Sequence, residues 1–230
     1  MTYLSEEVES TALASAMGLY ISGTALGGMS GRLLSAWAAE SWGSAGAALT
    51  VGLCGLLAAI GFLLCLPASR QFHARLLPLT RAGRQAWRSS LLQLLRDPAL
   101  RALWAMGFVF LGCFVGFYNF IGFRLERPPF SWGSLAIGSV FLLYLFGGAA
   151  SAASGRIMRR WGFLPALQVM WLTLIAGVLC TLSSSLVLLL TGMALFTLAF
   201  FAGHALASSA VGLRSQGHQA MAAAIYLCCY

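Results

Sequence analysis

The chain has 230 residues, 60% of them hydrophobic and 9% charged, with a formal net charge of +8. Soluble domains carry about a quarter charged residues, so a globule of this size could not cover itself with polar surface, and lipid is its expected solvent. The basic residues sit in connections between apolar runs rather than on one folded face, which turns the charge away from nucleic acid and toward membrane topology.

Five runs contain no Asp, Glu, Lys or Arg: Thr11 to Gly31, Ser41 to Ser69, Ala102 to Phe123, Pro128 to Gly155, and Trp161 to Leu213. A helix of about 20 apolar residues crosses about 30 Å of hydrocarbon, and the last run is long enough for two, broken at Ser183, Ser184 and Ser185. A further apolar run extends from Gln219 to Tyr230. The expected architecture is all-α and integral to the membrane, with six complete spans and a truncated seventh. The chain divides at residues 1–66 (two spans), 67–100 (a central loop) and 101–230 (four spans and part of a fifth).

Within the central loop, Trp87, Leu91, Leu94 and Leu95 recur at helical spacing beside Arg84, Arg88 and Arg96. This predicts an amphipathic helix lying on the membrane face, its arginines near anionic headgroups. Asp97 is placed to cap the next span with Pro98 in its first turn; Ser131 and Pro165 are expected to start the fourth and fifth spans similarly. Eleven arginines fall on the side of the central loop, while Arg32, Arg124 and Arg127 fall on the other. The positive-inside rule puts the rich side, and the stretch before Ser10, in the cytoplasm.

The six cysteines lie in apolar runs without CxxC spacing, which favours small buried apolar residues over metal ligands or disulfides. The opening MTYLSEEVES is acidic, unlike a signal peptide. Ala14 to Tyr20 and Ala220 to Tyr226 form a faint internal echo, compatible with two parallel halves. Gly23, Gly27 and Gly31 recur at every fourth position, and Gly147, Ser151 and Gly155 repeat the pattern on the fourth span. Small-residue faces let helices approach closely in lipid. Such faces serve static packing or a joint between two moving halves.

Several motifs resemble the major facilitator superfamily. Gly23, Thr24, Gly27 and Gly28 lie in GTALGG, which is similar to the Gly-Pro-x-x-Gly-Gly element of proton-coupled drug antiporters, with Thr24 at the proline position. GRIMRRWG resembles the superfamily's cytoplasmic gating loop: Gly155, Arg156, Arg160 and Gly162 match its pattern, and Arg159 stands where an aspartate is usual. LPASR and LRDPALR, flanking the central loop, also look like the superfamily. YLSEEV, GLYISGTALGGMSGRLL and NFIGFRL resemble the arabinose-efflux type.

The resemblance implies a partial helical bundle from the loop before the fifth span to the eleventh span, lacking the first four spans and the twelfth. It further implies a multi-pass bacterial inner-membrane protein, monomeric when full length, exporting a small molecule by alternating access coupled to protons. Uptake, or a non-transporting scaffold or sensor role, is the alternative. No cofactor, metal, nucleic acid or enzymatic activity is expected, since no nucleophile, base and orienting acid occur together.

His204 is the ionisable residue inside a span, and such residues are functional candidates. It fits either a hydrogen bond to a neighbouring helix or a proton contact, given an unperturbed pKa of about 6.5. All six acids, Glu6, Glu7, Glu9, Glu40, Asp97 and Glu126, lie in connections or near span ends. Tyr20, Tyr118, Asn119, Tyr144, Gln168 and Trp171 offer hydrogen-bonding and aromatic surface to a pathway, or simply pack.

Overall fold

The computed structural model describes residues 2–69 and 81–230, so the central-loop arginines Arg70 and Arg75 and the position of Met1 lie outside the described residues. The elements run α1 (Thr2–Glu7), α2 (Ser10–Cys65), α3 (Arg81–Arg96), α4 (Pro98–Glu126), α5 (Ser134–Ser139), a 3-10 turn (Val140–Leu143), α6 (Tyr144–Trp161), α7 (Phe163–Thr181), α8 (Leu186–Arg214) and α9 (Gln219–Cys229). Five helical stretches are long and apolar enough to cross a membrane, with α5, the 3-10 turn and α6 acting as one.

One of the five serves as two crossings. A straight helix of 56 residues would reach about 84 Å, yet the Tyr3 hydroxyl donates to the Pro67 carbonyl at 3.3 Å and Ser69 donates to the Glu7 carboxylate, so the two ends of α2 lie together. The chain doubles back at Gly43, whose φ of 72° suits a residue without Cβ. The connection expected between Arg32 and Glu40 is therefore helical. RLLSAWAAE holds no helix breaker, and the first conformation only glycine adopts freely comes three residues after Glu40. The arm at 44–65 is exposed along most of its length, with Leu53, Leu57, Phe62 and Leu63 each more than half exposed.

The start of α4 matches expectation: the Asp97 carboxylate accepts from the N–H groups of Ala99 and Leu100 at 2.9 and 3.3 Å. Asp97 also accepts from Arg214 Nε at 2.8 Å, joining the start of α4 to the end of α8. Each charge sits where its own helix dipole favours it. The Arg214 hydrogen bond, aided by the two backbone N–H groups, holds the Asp97 carboxyl below the ordinary carboxylate range. A depressed carboxylate contributes its stability above its unfolded pKa of about 3.9 and loses it as pH falls through the lower folded value. Asp97→Ala is expected to cost about 1 kcal/mol, mainly through the lost cap, because exposed ion pairs contribute little. Thermal unfolding in detergent at neutral pH checks this, and the deficit relative to wild type should shrink as pH falls through the lowered folded pKa of Asp97.

Elsewhere the starts shift. The fourth span begins not at Ser131 but with α5, capped by Gly133, and the fifth begins at Phe163 after Gly162, whose φ of 78° makes the turn. Pro165 sits inside the first turn of α7. The central-loop helix α3 forms as expected; Leu94 docks against Leu100 and Trp104, while Trp87 and Leu95 stay exposed on the side suited to lipid.

The bundle is built around α8, which is the most buried helix. Gly177 and Gly192 let α7 and α8 touch backbone to backbone: a Cβ on Gly192 would lie 2.5 Å from the Gly177 carbonyl oxygen. At the end of α4 away from Asp97, Arg124 donates to the carbonyls of Thr181 and Ser183, tying α4 to the turn between α7 and α8. The cysteines correct the expectation of burial: Cys54, Cys65, Cys113 and Cys228 are exposed and Cys180 and Cys229 half-buried. A small apolar side chain costs nothing against hydrocarbon, so membrane helices place it on either surface.

Candidate functional site

The seam between the first arm of α2 and α6 is closer and more polar than the glycine pattern suggests. The Ser151 hydroxyl donates to the Gly18 carbonyl at 2.9 Å, and a Cβ on Gly18 would lie 2.3 Å from the Ser151 carbonyl oxygen. Gly155 meets Ser15, and Gly148 meets Ser22. Gly147 faces away, against Phe201 of α8. Gly23, Gly27 and Gly31 have nothing within 4 Å of a built Cβ, so they are not what the fourth-span stripe packs on; the contact lies on the neighbouring face of the same helix. Thr24 spends its hydroxyl on the Ile21 carbonyl at 2.8 Å, and Gly28 lies beside Arg32 and Tyr144.

At the end of this seam where α2 starts and α6 stops, Arg159 donates to the Ser15 hydroxyl at 3.1 Å. The residue standing at the aspartate position of the gating-loop pattern thus makes a neutral link between α2 and α6. Arg156 and Arg160 are exposed.

A continuous aromatic wall lines the other side of α6. Phe141 stacks on Tyr118 (centroids 5.4 Å apart), Tyr118 meets Tyr144 edge-on at 5.4 Å, and Tyr144 meets Phe201 at 5.4 Å. Phe200 and His204 continue it along α8 to Tyr226 of α9 and to Tyr230 just past its end, with His204 and Tyr230 stacked at 4.3 Å. His204 Nδ1 lies 2.7 Å from the Tyr226 hydroxyl, which is the neighbouring-helix hydrogen bond expected of a buried histidine.

Hydroxyl protons in the wall can be assigned. Thr197 donates to the Met193 carbonyl at 2.7 Å, so the 2.6 Å contact between Tyr118 and Thr197 is donated by Tyr118. Tyr144 is 3% exposed and its hydroxyl has no hydrogen-bond partner among the described residues. It opens α6 where the 3-10 turn Val140–Leu143 interrupts the fourth span, a kind of mid-helix break that marks hinges and functional sites. Arg32, from the first arm of α2, lays its guanidinium over this break, 4.9 Å from the Phe141 ring centroid and 5.5 Å from that of Tyr144.

Of the pathway candidates, Tyr118, Tyr144 and His204 belong to this wall, and Trp171 stacks on Phe110 at its edge. Tyr20, Asn119 and Gln168 are exposed on the bundle surface. Tyr20 and Tyr226, equivalent in the internal echo, differ sharply: 42% against 1% exposed. Sequence reasoning missed Tyr226, Tyr230, Thr197 and the role of Arg32. The i, i+4 spacing of Tyr226 and Tyr230 was an available signal for a shared face; nothing in the sequence paired Arg32 with Phe141 and Tyr144.

These features define a polytopic helical membrane protein with an aromatic and hydroxyl-bearing wall inside the bilayer. The chain belongs to the Major Facilitator Superfamily, whose model matches residues 1–230. It is 39% identical over its whole length to an uncharacterized MFS-type transporter, YybF, of Bacillus subtilis, covering 56% of that protein. It is 38% identical to the inner membrane transport protein YnfM of Escherichia coli, covering 54%, and 33% identical to an uncharacterized transporter of Buchnera aphidicola from Schizaphis graminum, also covering 54%. The chain spans about half the length of the curated relatives it matches, and no solved structure is a significant match.

Proposed function

We propose that this chain forms part of a transporter that exports a small molecule across the bacterial inner membrane by alternating access, energised by a proton gradient. Within the family this is the drug:proton antiporter and arabinose-efflux-like branch suggested by GTALGG and its flanking motifs. The observation that carries the reading is the wall of Tyr118, Tyr144 and His204, where polar groups are kept at membrane depth although burying them there is costly. Residues 1–66 and 101–230 act as parts of two halves joined by the loop at 67–100. The α2–α6 seam, with Gly18, Ser151 and Gly155, is where the halves meet, and Arg159 with Ser15 closes its inner end. Membrane lipid and protons are the partners. The Gly23, Gly27 and Gly31 face is kept as a second helix interface, for spans outside this chain.

The test uses everted membrane vesicles holding the complete gene product, acidified inside and reporting pH through a fluorescent dye. Ethidium, L-arabinose and benzenesulfonate are added in turn. Antiport predicts dequenching by at least one probe only where the protein is present. Silence toward all three, alongside a responding antiporter control, overturns the reading.

A further inference from the structure

Around the break in the fourth span, hydrogen-bond donors outnumber acceptors. The guanidinium of Arg32 lies over the rings of Phe141 and Tyr144, contacts that engage its π-surface rather than its N–H donors. Of its five N–H donors, one is used: Nη1 reaches the Gly28 carbonyl of its own helix at 3.2 Å. No carboxylate among the described residues pairs with it; the ion pair found joins Arg214 and Asp97, at the opposite end of the bundle. One ring away, the Tyr144 hydroxyl is nine-tenths and more buried and without a partner among the described residues. The proton of Tyr118 is committed to Thr197. Glu40, eight residues beyond Arg32, lies near the end of the first arm of α2 just before the Gly43 turn, and Glu126 is the last residue of α4.

A site that offers one guanidinium edge, one free phenol and flat aromatic faces, with no anionic side chain among the described residues, suits a ligand of opposite character. We propose that Arg32 and Tyr144 recognise the substrate of this transporter and that the substrate is an organic oxyanion, a carboxylate or sulfonate borne on an apolar or aromatic body. The oxyanion takes the guanidinium edge, whose fork geometry matches it. The body lies against Phe141 and Tyr144. The Tyr144 hydroxyl donates a further hydrogen bond. This rests on the transport reading above but adds to it a specificity that the family motifs do not contain.

The same chemistry could be supplied by an anionic lipid headgroup, so the experiment separates the two sources. The complete gene product, purified in an uncharged maltoside detergent, is titrated with benzenesulfonate, its neutral isostere benzenesulfonamide, the cation phenyltrimethylammonium, and phosphatidylglycerol. The expected order is sulfonate well above sulfonamide, with no binding of the cation. Arg32→Gln should weaken sulfonate binding about ten- to hundredfold, the loss of a charge-assisted hydrogen bond, and bring it to the level of the sulfonamide. Arg32→Lys should fall between, and Tyr144→Phe should weaken sulfonate binding by about tenfold or less.

Thermal unfolding of each variant checks folding. Should Arg32→Gln misfold, the probe order in wild type and the Tyr144→Phe result still decide. Sulfonate binding that is absent, equal to that of the other probes, or unchanged in both variants overturns the proposal. So does Arg32-dependent binding of phosphatidylglycerol alone. Binding as expected without any flux would sink the transport reading and leave Arg32 and Tyr144 as an oxyanion-binding site; proton-coupled flux indifferent to Arg32 would sink the site and leave the transport reading.

Discussion

Leucine at Gly18 is expected to abolish most of the folded yield of the complete gene product, and leucine at Gly155 to do the same. In both cases the added side chain meets backbone: a Cβ on Gly18 would stand 2.3 Å from the Ser151 carbonyl oxygen, and one on Gly155 would stand 2.9 Å from the Ser15 Cα. Overpacking costs about 1 to 3 kcal/mol in tolerant cores, and a backbone contact is at the upper end because neither helix can swing a side chain aside. The Ser151 to Gly18 hydrogen bond would be lost with it.

Gly27→Leu is the paired measurement. Among the described residues nothing lies within 4 Å of its built Cβ, so a loss of yield or melting temperature is what the proposed second interface predicts. A Gly27→Leu protein that melts and transports like wild type would remove that interface and leave the α2–α6 seam untouched. If Gly18→Leu were equally mild, the seam itself would be wrong.

The contrast between these glycines shows what a sequence pattern can and cannot specify. Spacing of four identifies a small-residue face but not its partner, because register between helices depends on how far each is rotated. Here the face that docks on Ser151 carries Ser15, Gly18 and Ser22, a mixture of small polar residues that reads less clearly than three glycines in a row. Span positions were legible because uncharged length is a property of the chain alone. Where spans begin was less so. Arg32 and Glu40 looked like a loop by charge, but their segment is helix-forming, and the turn falls at Gly43, where φ is positive. The 3-10 turn at Val140–Leu143 holds no glycine or proline itself; the Gly138–Ser139 pair just before it is the local signal for a break.

The wall was only partly legible for a similar reason. His204, Tyr118 and Tyr144 stand out as polar groups in apolar runs. The pairing of Arg32 with rings more than 100 residues away, and of His204 with Tyr226, belongs to tertiary structure. Exposed Tyr20, Asn119 and Gln168 share the same sequence signature as the buried groups, and single-helix periodicity does not tell an interior face from a lipid-facing one when both are apolar.

His204→Gln is expected to separate the two roles open to this histidine. Its Nδ1 lies 2.7 Å from the Tyr226 hydroxyl, and its ring stacks on Tyr230 at 4.3 Å. Glutamine can keep a hydrogen bond to Tyr226 but cannot gain a proton. If His204 takes up or relays the coupling proton, His204→Gln abolishes the response of transport to a pH gradient while substrate exchange at equilibrium continues. Tyr226→Phe then shifts the pH at which coupling is half lost, because it removes the group that fixes the imidazole's orientation. If His204 only packs, glutamine is tolerated, and His204→Leu is damaging by about 1 to 3 kcal/mol through the buried Tyr226 hydroxyl left unpaired. In that case the double variant His204→Leu, Tyr226→Phe should recover much of the loss, since no polar group then remains to be satisfied. Flux under an imposed pH gradient, equilibrium exchange and thermal unfolding, measured at matched expression, distinguish these patterns. Normal gradient-driven transport by His204→Gln would place the proton site elsewhere in the complete protein.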